Sequence, residues 1–157
     1  LSAPRINIFA KGESYLAGCI FRNNLLKLDR HVTMADDGGL QTLHVKNGRP
    51  GDLFLFLSYS GIHYDYSKYA AALSGRGIKP CLITAFSDSA LARQCDTVLL
   101  IPKSERVIGK VANYSSMISL TYTLQVIYSL IFNQDYQENY RVKHEADSFI
   151  FTSFAEI

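Results

Sequence analysis

The segment Leu53-Phe54-Leu55-Phe56-Leu57 constrains the fold of this chain more than any other five residues. A strand with one wet face alternates apolar and polar side chains, whereas this run is apolar at every position, so both of its faces must be covered. Turn signals bound it on each side: Asn47-Gly48-Arg49-Pro50-Gly51 precedes it, and Ser58-Tyr59-Ser60-Gly61 follows it directly. The simplest cover is a parallel sheet with this strand at its centre and helices on both faces.

The rest of the chain supplies those elements. Residues 5–10 read as a strand, and 15–28 as a helix on which Ala17, Phe21, Leu25 and Leu28 recur at helical spacing. A weaker strand at 31–35 ends at the break Asp36-Asp37-Gly38-Gly39, and 40–46 reads as a short helix. Beyond the central strand, 65–76 carries the stripe Tyr66, Tyr69, Ala70 and Leu73, and Gly75 and Gly77 stop it. Residues 79–84 form the next strand, and Ser87-Asp88-Ser89 is expected to cap a short helix through Gln94. A last strand, 97–101, ends at Pro102, and a long helix spans 114 to about 134. Strand and helix alternate, which predicts an α/β domain with ligand sites at the carboxyl ends of its strands.

A chain of 157 residues with 48% hydrophobic content has room for one domain with a sizeable core. We place it at 1–138 and leave the packing of the tail, 139–157, open. A formal charge of +2 with no Lys/Arg block argues against a nucleic-acid footprint within this segment. Cys19, Cys81 and Cys95 are odd in number and form no Cys-x-x-Cys pair, so three reduced thiols in a cytoplasmic protein are expected. The apolar stretch 117–132 is broken by Ser119, Thr121, Thr123, Gln125 and Ser129 and is shorter than the roughly 20 residues of a membrane span, so no membrane partner is expected. No secretory segment opens the chain, and the start at Leu1 without a Met suggests that something preceded it.

The turn after the central strand holds the chemistry. A helix N-terminus exposes unpaired N–H groups and the positive end of its dipole; Ser58 and Ser60 add hydroxyl donors there, so a phosphate fits without a basic residue. Other constellations are weak. His31, His44, His63 and His144 lack paired ligand spacing, and Asp36-Asp37 lacks the further carboxylates of a calcium loop, so no metal is expected. Gly12 belongs to no Gly-x-Gly-x-x-Gly fingerprint, and Gly109-Lys110 lacks the upstream Gly of a P-loop, so no nucleotide cofactor is expected. Glu13, His63, Asp65 and Glu105 are possible bases by residue type, but Glu13 reads as a helix-start charge, Asp65 as an N-terminal helix residue, and Glu105 as a solvated loop charge beside Lys103 and Arg106. On the last helix, Met117, Ile118, Leu120, Tyr122, Leu124, Val126, Ile127, Leu130 and Ile131 surround more than one face, so packing on its own sheet should leave an apolar stripe uncovered and invite a second subunit.

Taken together, Gly12-Glu13-Ser14 after the first strand, Asp52 through Ser58-Tyr59-Ser60-Gly61, the Gly75–Thr84 approach, and Ser89-Ala90-Leu91-Ala92 with Cys95-Asp96 resemble the SIS (sugar isomerase) domain. The match is greatest to the effector domain of RpiR-family transcriptional regulators. The resemblance covers residues 6–132 and implies a three-layer α/β sandwich with a central parallel sheet of flavodoxin-like topology. It implies a phosphorylated sugar as ligand, held by Ser14, Ser58 and Ser60, with Gly12 and Gly61 letting the backbone approach. His63 stands at the turn's last position, where the family has a hydroxyl, and Ile62 stands where isomerases often have a glutamate. The function implied is the phosphosugar-binding and dimerising part of such a regulator, with DNA contacted only through a helix-turn-helix domain absent from this sequence. The alternative is an aldose–ketose isomerase on the same fold.

Overall fold

A computed structural model of the chain describes residues 3–35 and 37–155. Leu1, Ser2 and Asp36, the first half of the acidic pair, lie outside the described residues. Five parallel strands, β1 (Ile6–Ala10), β2 (Val32–Met34), β3 (Leu53–Leu57), β4 (Pro80–Thr84) and β5 (Thr97–Leu100), form one sheet in the order β2-β1-β3-β4-β5. The helices are α1 (Glu13–Leu26), α2 (Gly38–Asn47), α3 (Tyr64–Ser74), α4 (Tyr114–Gln134) and α5 (Tyr136–Ala155). The expected α/β sandwich is therefore present, with the strand order of the flavodoxin-like arrangement.

The apolar run at 53–57 is the middle strand, and its alternating side chains divide two cores. Leu55 and Leu57 join Ile8, Phe21, Leu120 and Leu124 on the side of α1 and α4. Phe54 and Phe56 join Phe9, Tyr66, Ala70 and Leu73 on the side of α3. There Phe9 stacks on Phe56 with centroids 5.1 Å apart. Burial of this kind yields about 1.5–3 kcal/mol per large side chain, so the central strand is the principal anchor of the site at its end. Arg5 fixes the other end: its guanidinium donates to both oxygens of buried Asp52, at 3.0 and 2.5 Å, and clamps the start of β3 to β1.

Three sequence expectations are corrected here. The short helix expected through Gln94 shrinks to one 3₁₀ turn, Ala92–Gln94. Ser89 does cap this turn, its Oγ accepting from the Ala92 N–H (3.2 Å), and the Leu91 N–H bonds the Gly61 carbonyl (3.3 Å); the turn stops where Cys95 becomes extended toward β5. The apolar stretch expected to be too short for a membrane span belongs to α4, whose 21 residues are long and apolar enough to cross a bilayer by length and composition. In the fold α4 docks on α1: Leu120 and Leu124 are buried, and Asn24 donates to Gln125 (3.0 Å). Its outer stripe, Ile118, Tyr122, Val126 and Leu130, is exposed. The tail forms α5, joined to α4 by Asn139, which donates to the carbonyls of Ile131 and Phe132 (3.1 and 3.0 Å). The third correction concerns Glu105 and belongs to the site.

Candidate functional site

A cavity of about 210 Å³ opens at the carboxyl ends of β1 and β3. Three helices start at its wall: α1 with Gly12 and Ser14, α3 with His63, and α4 with Asn113 and Ser116. Parallel strands feeding helices place several helix N-termini at one edge of the sheet, which makes this edge electropositive before any side chain is counted.

The structure brings five of the six expected residues to the lining: Gly12, Ser14, Ser58, Ser60 and His63. Gly61 stands behind it. Its N–H donates to Ser58 Oγ (3.1 Å), leaving the Ser58 hydroxyl proton free to donate onward. A Cβ on Gly61 would lie 2.2 Å from Ser89 Oγ, and its φ of +64° is in the left-handed region, so glycine is required by both backbone and space. Neither Gly12, at the start of α1, nor His63, at the start of α3, makes a side-chain cap bond, so both helix ends keep their first N–H groups available toward the cavity. His63 packs edge-on to Tyr66 (5.3 Å). Burial lowers the His63 pKa from its ordinary value and the charge of Lys11 adds to that, with Asp65 opposing.

The lining also holds residues that the motif did not name. Lys11 and Lys110 both line the cavity. Lys11 pairs with Asp65 (3.6 Å), and the Lys110 ammonium stands 5.2 Å over the Tyr59 ring and 3.6 Å from Glu105. Lys11 is adjacent to Gly12, and that adjacency was the available signal. Glu105, expected to be a solvated loop charge, is instead about 10% exposed and clamps the start of α4. Its Oε1 accepts from the Ser116 N–H (2.9 Å) and the Ser115 hydroxyl (3.0 Å), and its Oε2 from the Ser116 hydroxyl (2.7 Å). The Ser116 hydroxyl, more than any other group, pulls the Glu105 carboxyl down to about 2. The Tyr59 hydroxyl completes the clamp: it accepts from the Glu105 N–H (2.8 Å) and donates to the Glu105 carbonyl (3.0 Å). Glu105 lies ten residues before Ser115, too far for a capping box, so local pattern carried no signal of this contact.

The arrangement can hold an anion between the α1 and α3 ends. It offers three hydroxyls, uncapped N–H groups and the Lys11 ammonium there, while the α4 end is already answered by a carboxylate. The family model of the SIS domain matches residues 1–131, and the chain belongs to that family. Among solved structures, the Vibrio vulnificus NanR protein complexed with ManNAc-6P superposes with a TM-score of 0.84 at 19% identity, covering 96% of this chain and 56% of NanR. The chain thus spans a little over half the length of NanR. The sugar isomerase domain of the RpiR transcription factor from Sphaerobacter thermophilus gives 0.79 at 22% identity, covering 94% of this chain and 80% of that one. The C-terminal domain of glucosamine-fructose-6-phosphate aminotransferase from Francisella tularensis gives 0.63 at 19%, covering 91% and 42%. At these identities the likeness is one of fold. No curated protein matches the chain.

Proposed function

We propose that this chain is the phosphosugar-binding effector domain of an RpiR-like transcriptional regulator working in the cytoplasm, pairing through α4 and acting on DNA through a helix-turn-helix domain outside this sequence. One observation carries the reading: the hydroxyls of Ser14, Ser58 and Ser60 meet two uncapped helix starts in a single cavity at the strand ends. That is chemistry for a phosphate held by donors. The ManNAc-6P in NanR supports a phosphorylated sugar as the ligand class.

The same cavity is walled by Met117 and Leu120 of α4, whose far side presents the exposed stripe Ile118, Tyr122, Val126 and Leu130. A ligand that favours one placement of α4 against a second copy would shift the pairing, and with it the DNA-binding heads. The isomerase reading needs a free base beside the sugar. Glu105, beside the cavity, is committed to Ser115, Ser116 and Lys110 and is no free base, so an isomerase would have to use Glu13 or His63, the two candidate bases that line the cavity.

Thermal-shift screening against sugar phosphates, followed by calorimetry with the best binder, tests the reading. Ser60→Ala should weaken binding by about 1–3 kcal/mol, the cost of a hydrogen bond to a charged group, and leave the fold intact. Equal affinities would remove Ser60 from the site. A monomeric mass by light scattering would remove the pairing, and incorporation of deuterium into an aldose or ketose phosphate would make the isomerase the better reading.

A further inference from the structure

We propose that Asn113 reads the end of the ligand farthest from the phosphate, its Oδ1 accepting a hydrogen bond from a neutral donor, a sugar hydroxyl or an acylated amine N–H. This rests on the phosphosugar reading above and assigns a residue that the Ser-rich turn does not reveal.

Asn113 is the N-cap residue of α4, where an Asn ordinarily accepts from a backbone N–H of the first turn. Here it makes no such bond. The Ser116 N–H that would satisfy it is already bonded to Glu105 Oε1 at 2.9 Å. Displaced from capping, Asn113 Oδ1 is buried without a hydrogen-bond partner among the described residues, and the residue lines the cavity. A buried amide oxygen left unpaired is costly, and buried polar groups are nearly always satisfied, so an unpaired acceptor on a side chain that lines the cavity points to a donor arriving there, met by a turn of the amide.

The charges say which part of the ligand brings that donor. The starts of α1 and α3 are uncapped and lie with Lys11 and the serines, whereas the start of α4 is neutralised by Glu105, itself 3.6 Å from Lys110. An anion is therefore drawn to the α1 and α3 end, and the α4 end, with its dipole already answered, suits the uncharged carbon chain. Phosphate at one wall and hydroxyls at the other give the cavity a direction, and Asn113 is the acceptor at the neutral wall.

Calorimetry on the full chain with inorganic phosphate and with glucose 6-phosphate, fructose 6-phosphate and N-acetylmannosamine 6-phosphate tests this. Asn113→Leu should weaken the tightest sugar phosphate by about tenfold, the scale of one lost hydrogen bond, and leave inorganic phosphate within about twofold. The melting temperature without ligand should hold or rise, because an unpaired buried acceptor is removed while no cap is lost. Asn113→Ala repeats the test with a side chain that cannot crowd the cavity. Undiminished sugar-phosphate affinity in both variants would overturn the inference, as would an equal loss for phosphate and sugar phosphate, or a lower melting temperature in both variants. A wild-type chain that binds no sugar phosphate better than inorganic phosphate would instead sink the ligand class, and the role of Asn113 with it.

Discussion

The turn after β3 and the loop before α4 face one another across the cavity, and they are held by different means. The turn is fixed through its backbone to neighbouring strands and turns. Ser58 N–H bonds the Ile83 carbonyl, the Tyr59 carbonyl receives the Ala85 N–H, and the Gly61 carbonyl receives the Leu91 N–H. Residues 102–113 have no strand or helix of their own and expose Ile108 and Val111 almost fully. They are held by side chains: the Tyr59 hydroxyl on the backbone of Glu105, and the Glu105 carboxylate on Ser115 and Ser116. A wall built from backbone bonds depends on sterics and is indifferent to pH. One hung on a carboxylate depends on its charge, so it is the wall better suited to move when a ligand arrives.

The largest effect should come from the turn. Gly61→Ala adds a Cβ 2.2 Å from Ser89 Oγ at a φ of +64°. Left-handed backbone costs an L-residue about 1–2 kcal/mol and overpacking about 1–3 more, so urea unfolding should show a loss of roughly 2–5 kcal/mol at every pH. A pH-dependent loss, or none, would break the contrast between the walls.

Glu105→Gln should act next, and its effect should depend on pH. The carboxyl titrates at about 2 in the folded chain against an ordinary value of 4.5. A depressed folded value means that the charge contributes stability fully above the unfolded value and loses it as pH falls toward the folded one. The stability gap between wild type and variant should therefore be full at neutral pH and close as pH drops from about 4.5 toward 2. Thermal melts across that range decide it; a gap constant in pH would mean that shape, and not charge, holds the loop.

The smallest effect joins the two walls. Tyr59→Phe removes the hydroxyl that bonds the Glu105 N–H and carbonyl and should cost about 1–2 kcal/mol, with faster amide exchange confined to 102–113. Slower or unchanged exchange there would show that the loop is held by something other than this hydroxyl.

Legibility follows the same division. The strands, the helix stripes Ala17-Phe21-Leu25 and Tyr66-Ala70-Leu73, and the serine turn were all readable, because each is a periodic or contiguous pattern whose meaning is set within one or two turns of chain. The tail was not, because its anchors, the Asn139 amide on the last carbonyls of α4 and the Tyr136 ring against Phe132, follow no pattern along the chain. The expected helix through Gln94 is only one turn because Cys95 turns extended and the Asp96 N–H goes to the Pro80 carbonyl at the start of β4. Ser87-Asp88-Ser89 is a sound helix-start signal, and Ser89 does cap the turn, its Oγ accepting from the Ala92 N–H at 3.2 Å.

The amino-acid order by itself determined the layered α/β plan, the position of the central strand and the hydroxyl-lined turn at its end, because alternation, apolar runs and turn residues act over short distances along the chain. Which groups share the cavity was decided only in three dimensions. Lys110, Asn113 and Ser116 reach the serines from the far end of the chain, and no local pattern records that approach. The same holds for the commitment of Glu105 to α4 and the stranded oxygen of Asn113: each exists because one donor, the Ser116 N–H, had two candidate acceptors and the packing assigned it to one.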